Sequence, residues 1–463
     1  MVPSSEVAGP APSANLAVPK LSGGWPLLGN LVEFVKNPVS TLGRGRDEHG
    51  ELVKFRLGTR DVVLFSGTDA HDFYFQTPEE ELNAKAVYQF TVPIFGRGVA
   101  YDVSPELMSE QLGFLYPALR GSPMRKFATL MYDEIRMFAD QMGDEGVINL
   151  PYAMNELTVN IASRCLLGPE VRSRLNSEFA EAYHELQNGI NTLGFFLPNF
   201  PSPKHRSRDR ARKCIAELFT GIMTERRRTG ARHDDFMQAL MDAHYKDGRS
   251  LSDDEITGIL LTALFAGHHT SAVLATWICL ELLQDHVYVS LIRDELNDVY
   301  SPTGAMTLDT LKVQVMLERA VRECERLHPP LIILVRKVLK TLHYKDYVIP
   351  AGTLAMVSPA VSHRLPHLFV DPHRFNPHRF APPDAEDRQH RYTLIGFGGG
   401  KHICMGKHFA IMQLKAIWSV LLDRFDFHSE SEIPAPDYRS WVTGPKLPCT
   451  VRYSRRSQSS VFQ

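Results

Sequence analysis

Residues 397–406 read Phe397-Gly398-Gly399-Gly400-Lys401-His402-Ile403-Cys404-Met405-Gly406. Glycines here let the backbone take positive φ and approach a flat object closely. A helix signal follows at once, roughly Lys407 to Phe425, so Cys404 stands at a helix N-terminus. Free N–H groups and the macrodipole at such a terminus favour a thiolate. A thiolate in a glycine-rich loop suits the axial position of a haem iron. The competing reading is a glycine-rich turn around an inert buried cysteine. The loop is no nucleotide cradle, since it matches neither GxGxxG nor GxxxxGK(S/T).

Upstream, a helix is predicted from about Val315 to Leu327, stopped by His328-Pro329-Pro330, because two prolines cannot continue it. Glu323 and Arg326 share one face at i and i+3, and Glu318 with Arg322 is an equally good pair by spacing. Further upstream, the longest helix signal runs from about Asp253 to Asp285 and opens on a Ser252-x-x-Glu255 capping box. It is apolar on nearly every face through Ile256, Ile259, Leu260, Leu261, Ala263, Leu264 and Phe265, the pattern of a helix buried in a large protein. Ala266-Gly267-His268-His269-Thr270-Ser271 interrupts it. That segment reads either as a packing notch or as a local distortion that opens space against a ligand.

The first half adds a helix opening at Asn37-Pro38. A hairpin is expected across Leu52–Leu57 and Val62–Phe65. Residues 125–230 are mostly helix-like, broken by a Pro-rich stretch from Leu197 to Lys204. The basic run from Lys204 to Lys213 reads as a solvated helix face. Met1 to Gly23 reads as a flexible arm, and residues 24–463 as one domain.

Of the 463 residues, 44% are hydrophobic and 22% charged, an ordinary globular composition. Lys+Arg 51 against Asp+Glu 53 leaves a net charge of -2, with no basic excess that would favour nucleic acid. The six cysteines form no CxxC pair and no HExxH occurs, which argues against a disulfide framework or a zinc site. No run of about 18 apolar residues encodes a membrane span, and a soluble cytoplasmic protein is expected.

Three motifs in register, FxxGxxxCxG at 397–406, Glu323-x-x-Arg326 before Pro-Pro, and Ala266-Gly267-x-x-Thr270, resemble the cytochromes P450, the haem-thiolate monooxygenases. The resemblance covers nearly the whole chain. It implies a mainly α fold with small β-sheets, a long buried central helix over the haem, and haem b ligated by Cys404, with dioxygen as co-substrate. Phe397 and Gly398 belong to the cofactor loop. Arg379, in Phe375-Asn376-Pro377-His378-Arg379-Phe380, is implied to complete a buried structural network with Glu323 and Arg326.

Finer motifs resemble one branch, the sterol 14α-demethylases: His269-Thr270 in the central helix, Tyr88 to Asp102 upstream, and Leu331 to Arg336 after the proline pair. In that family three rounds of oxidation convert a sterol 14α-methyl to alcohol, aldehyde and formate, leaving a ring double bond. The resemblance implies that His269 and Thr270 deliver protons during dioxygen activation, a task suited to imidazole. Tyr88, Arg336 and His402 are implied to bind the haem propionates. Phe90, Phe95, Tyr101, Phe265, Ala266, Leu331 and Ile333 are expected to line an apolar sterol cavity. Phe90 leans the substrate from a lanosterol type towards an obtusifoliol type. Electrons are expected from a ferredoxin or flavodoxin with its reductase.

Two departures stand out. No Lys or Arg lies between Ser104 and Arg120, and Ile403 stands where relatives commonly carry arginine. Both remove positive charge from the face expected to meet the donor. They point to an unusual donor, to docking through other basic residues, or to a changed activity such as hydroxylation of another lipid or terpenoid. A haem-binding sensor without oxygen chemistry is the reading from outside the enzymes, and His269 with Thr270 argue against it.

Overall fold

The computed structural model describes residues 15–174, 177–189, 200, 202–302, 304–383, 385–429, 432–457 and 460–462. Met1 to Ala14 lie outside that set, as do Leu197, Pro198, Asn199 and Pro201 of the expected Pro-rich break. Helices dominate, bordered among the described residues by one five-stranded and two three-stranded sheets. The mainly α architecture read from the sequence is therefore the one found.

The organising element is the helix Asp253–Leu282. Its capping box forms as expected: the Glu255 N–H donates to Ser252 Oγ (3.2 Å) and the Ser252 N–H to Glu255 Oε2 (2.8 Å). At 1.5 Å per residue its 30 residues span about 45 Å. Leu150–Ala162, Val315–Leu327 and Lys407–Arg424 pack around it, which explains why it has no polar face over most of its length. Each buried leucine or isoleucine contributes about 1.5–3 kcal/mol to this assembly. Among the described residues this is the one helix long and apolar enough to cross a membrane, and 67% of its most apolar stretch is buried inside the protein.

The expected interruption at Ala266–Ser271 is a notch and not a distortion. Helical structure continues through it, and Thr270 Oγ1 donates back to the Ala266 carbonyl at 3.0 Å. A Cβ on Gly267 would lie 3.2 Å from Leu166 Cδ1 and 3.7 Å from Phe409 Cε1. The missing side chain lets two neighbouring elements approach, and their packing outweighs the roughly 1 kcal/mol that glycine costs inside a helix.

The hairpin Leu52–Leu57 and Arg60–Phe65 forms one end of the five-stranded sheet. Leu354–Val357 and Leu334–Val338 continue that sheet, with Arg336 paired to Ala355. A helix does open on Asn37-Pro38, with Asn37 Oδ1 accepting from the Ser40 N–H at 3.0 Å.

Residues 15–23, expected within a flexible arm, are docked. Leu16–Ala17 pairs in parallel with Tyr347–Val348, and the Leu21 N–H donates to the Lys54 carbonyl at 2.8 Å. The buried side chains of Val18 and Leu21 supply the apolar contact that holds this segment. The basic run is only partly a solvated face: Arg208 is buried, and Arg212 reaches the Phe95 carbonyl at 3.4 Å. Glu145–Asn149 forms an unpredicted strand, antiparallel to Thr450–Arg455.

Candidate active site

The cysteine loop is closed by its own backbone. The Cys404 N–H donates to the Phe397 carbonyl (2.8 Å) and the Gly398 N–H to the Ile395 carbonyl (2.9 Å). Gly400, at φ 60°, passes so near the helix Thr68–Gln76 that a Cβ would fall 2.3 Å from the Phe75 carbonyl oxygen. Only glycine fits there. The helix Lys407–Arg424 then starts three residues beyond Cys404, whose side chain is solvent-accessible. Enclosure by the surrounding protein pushes its thiol pKa up, while the N–H groups of Gly406 and Lys407 and the Lys407 ammonium pull against that rise.

The expected buried network is present. Arg326 makes a two-pronged pair with Glu323, Nε to Oε2 at 2.7 Å and Nη2 to Oε1 at 2.8 Å, and Arg379 Nε donates to Glu323 Oε1 at 3.0 Å. Arg379 Nη1 also donates to Glu386 Oε2 (2.6 Å), and other guanidinium donors reach the carbonyls of His363 (2.9 Å), Pro372 (2.6 Å) and Val370 (2.7 Å). Complete pairing is what allows three charges to be buried together. The rival pair is not formed: Glu318 binds Lys415 at 2.9 Å, and Arg322 binds Asp387.

Of the three expected propionate ligands, Tyr88 and Arg336 come together, with Tyr101 stacked on Tyr88 at 4.8 Å. Arg336 is buried, donates from Nη1 to the Tyr74 carbonyl (3.0 Å) and lies over the Tyr74 ring at 4.6 Å. It has no carboxylate partner within ion-pair distance among the described residues. His402 instead binds Glu79, an acid that sequence reading missed. Burial pushes the Glu79 pKa up, but the His402 hydrogen bond and the nearby Arg336 and Lys401 charges outweigh it and leave the carboxyl below its usual range.

On the central helix the adjacent histidines differ. His268 is fully buried and satisfied at both nitrogens, Nε2 to Asn155 Oδ1 (2.7 Å) and Nδ1 to the Tyr183 hydroxyl (3.1 Å). Because Asn155 Oδ1 accepts, Nε2 carries the proton and the Tyr183 hydroxyl donates to Nδ1. His269 is half-buried and makes no side-chain hydrogen bond among the described residues, and burial lowers its pKa to about 4. Ala266 is exposed and Thr270 half-buried.

The expected cavity residues form two aromatic groups. Phe95 meets Phe265 edge-on at 5.7 Å, and Phe265 meets Tyr183 at 5.2 Å. Phe90 lies 4.9 Å from Trp441, which also meets the Tyr88 ring at 6.0 Å. Leu331 and Ile333 are half-buried, and Ile333 packs in the same apolar cluster as Tyr88. Trp441 and Tyr183 were missed because a lone aromatic in a turn-rich segment, or within a helix, carries no periodic signal.

These residues fit a cysteine-bound haem. An accessible thiol sits at a helix N-terminus with two amide N–H groups beside it. A buried guanidinium without a carboxylate is matched to an acidic group on the cofactor, and the glycines of the loop permit close approach. The family described as Cytochrome P450 matches residues 19–451. The chain belongs to the cytochrome P450 family: it is an enzyme of the haem-thiolate monooxygenase class, using cysteine-ligated haem b with dioxygen as co-substrate. Within the family it is similar to the sterol 14alpha-demethylase of Mycobacterium tuberculosis, 38% identical over 96% of this chain and 99% of that one. It is also similar to the obtusifoliol 14-alpha demethylase of Sorghum bicolor, 36% identical over 95% of this chain and 91% of that one. Among solved structures, the retinoic acid-bound cyanobacterial CYP120A1 superposes with a TM-score of 0.85 at 23% identity, over 96% of this chain and all of that one, and carries the fold alone.

Proposed function

We propose that this monooxygenase, acting as one domain over residues 24–463, removes the 14α-methyl group of a sterol, with a preference for the obtusifoliol type. The observation that carries the reading is the histidine-threonine pair of the central helix beside an aromatic wall of Phe95, Phe265 and Tyr183. The 36–38% identity to sterol 14α-demethylases over almost the full length of both chains supports it.

When bound, the haem supplies dioxygen activation and insertion of oxygen into an unreactive C–H bond. Cys404 would hold it through Sγ, Arg336 and Tyr88 would bind its acidic side groups, and the Glu323–Arg326–Arg379 network fixes the elements around the loop. Thr270 Oγ1 keeps its proton on the Ala266 carbonyl and still offers lone pairs to a water. His269, neutral at pH 7 because burial lowers its pKa to about 4, accepts a proton only transiently and passes it on. Phe90 with Trp441 narrows one side of the sterol space, which favours a sterol with less bulk at C4. Electrons come from an external donor of ferredoxin or flavodoxin type. With Ile403 exposed and no cation on Pro105–Ala118, docking falls to other basic side chains, the exposed Lys401 of the cysteine loop first.

The test is a titration of the ferric enzyme with 14α-methyl sterols, following the haem absorption. A saturable low-spin to high-spin shift, stronger for obtusifoliol than for lanosterol, is expected. Intact thiolate haem with no response to any sterol would transfer the assignment to oxygenation of another lipid.

A further inference from the structure

Glu325 has no part in the reading above, yet it lies against the cysteine loop. It stands between Cys324 and Arg326 on the helix Val315–Leu327 and is 3% exposed. Its carboxyl lies near enough to the amide of Phe397, the first residue of the decapeptide, for that N–H to favour its charged form. A Cβ on Gly396 would stand 2.6 Å from Glu325 Oε1 and 2.7 Å from its Cγ, so the acid fills the space that a larger residue at 396 would need.

An apolar side chain would fill that space at less cost, because a buried carboxyl without an ion pair is expensive to desolvate. The nearby cations are engaged elsewhere: Arg322 binds Asp387, and the Lys407 ammonium lies over the Phe397 ring at 5.4 Å. The charges that act on Glu325 are those of Lys407 and Arg322, and its own acts on Cys404. Burial pushes its pKa up to about 7 against the pull of Lys407, Arg322 and the Phe397 amide.

We propose that Glu325 is a positioning residue of the haem-thiolate site, fastening the cysteine loop through its contact with Gly396 and setting a negative potential felt at the sulfur. The inference rests on Cys404 being the iron ligand. A carboxylate in a medium of low dielectric acts strongly on its neighbours. Negative charge there disfavours adding an electron to the site.

The holoenzyme is compared with Glu325→Gln and Glu325→Leu. The reduced CO spectrum of the parent comes first, and absence of its thiolate form would overturn the ligand assignment and this proposal with it. Midpoint potentials are then measured at pH about 8.5, where the parent carboxyl is ionised. Glu325→Gln should keep haem content and thiolate spectrum, with the potential moved positive enough to give several-fold more reduced haem at a fixed donor potential. Glu325→Leu should in addition lose the thiolate CO form several-fold faster. Should Glu325→Leu fail to fold, Gly396→Ala tests the same contact: it should lose the thiolate form, and adding Glu325→Ala should restore it. A parent-like potential in Glu325→Gln overturns the electrostatic role. A parent-like rate in Glu325→Leu, or an undisturbed Gly396→Ala, overturns the fastening.

Discussion

The side of the molecule that carries Cys404 and the side proposed to take the sterol are built by opposite means. Around the cysteine loop, position is fixed by charge and backbone: Glu323, Arg326 and Arg379 are fully paired, and the loop bonds to itself through Phe397, Ile395 and Cys404. On the other side, Phe90 meets Trp441, and Phe95, Phe265 and Tyr183 meet one another in turn, through ring edges and faces. Directional bonds tolerate little displacement, while aromatic packing leaves a wall that can be resized by one substitution. The same protein therefore holds its metal ligand rigidly and leaves its specificity open to small changes.

That contrast can be broken at its strongest point first. Cys404→Ser should abolish the thiolate spectrum of the reduced CO complex and all sterol turnover, and a retained spectrum would place the ligand elsewhere. Next, Glu323→Ala leaves the buried Arg326 guanidinium without a carboxylate and Arg379 with Glu386 alone, and should cost about 3–5 kcal/mol, read as a lower denaturant midpoint together with low haem content.

The two histidines sharpen the comparison within one helix. His269→Ala should slow turnover about 10²-fold, the lower end for a lost proton-transfer group, with haem still bound. His268→Ala loses two hydrogen bonds and should cost about 1–3 kcal/mol of stability, with turnover per folded molecule changed far less. Equal kinetic damage from both would dissolve the distinction drawn between them. At the small end, Phe90→Leu should move the ratio of obtusifoliol to lanosterol affinity roughly tenfold towards lanosterol, the scale of a methylene or two in an apolar pocket.

A pH profile separates the sides in another way. Burial holds His71 and His269 near pKa 4 and His268 and His363 well below 6.5, so the folded chain keeps all four neutral. The unfolded chain takes those protons near pH 6.5, so stability is complete above that value and falls as pH drops towards 4. Glu325 acts in the opposite sense: its raised pKa stabilises at low pH, and that contribution is lost as pH rises through about 7. These histidines, joined by His328, whose pKa burial also lowers, outnumber the one acid and should give a lower urea midpoint at pH 5 than at pH 7.5.

What the sequence made legible follows from which forces are local. The capping box at Ser252, the proline stop after Leu327 and the glycines around Cys404 act within a few residues, and each appears where the sequence implies. The Ala266–Ser271 segment was ambiguous because its conformation depends on Leu166 and Phe409, far away in the chain. The partners of His402 and Glu325 were hidden for the same reason, since Glu79 and Gly396 meet them only after folding. Trp441 acts through ring packing, which leaves no trace in spacing.

The strand Glu145–Asn149 can pair only with Thr450–Arg455 among its sheet neighbours, roughly 300 residues later. At synthesis rates of about 5–20 residues per second, the earlier segment waits on the order of 15–60 s for its partner to leave the ribosome. During that interval an edge rich in unpaired amides stands open while the central helix is already made. Expression yield should therefore depend on translation speed over the last third of the message, and slowing it there should favour aggregation of nascent chains over capture of haem.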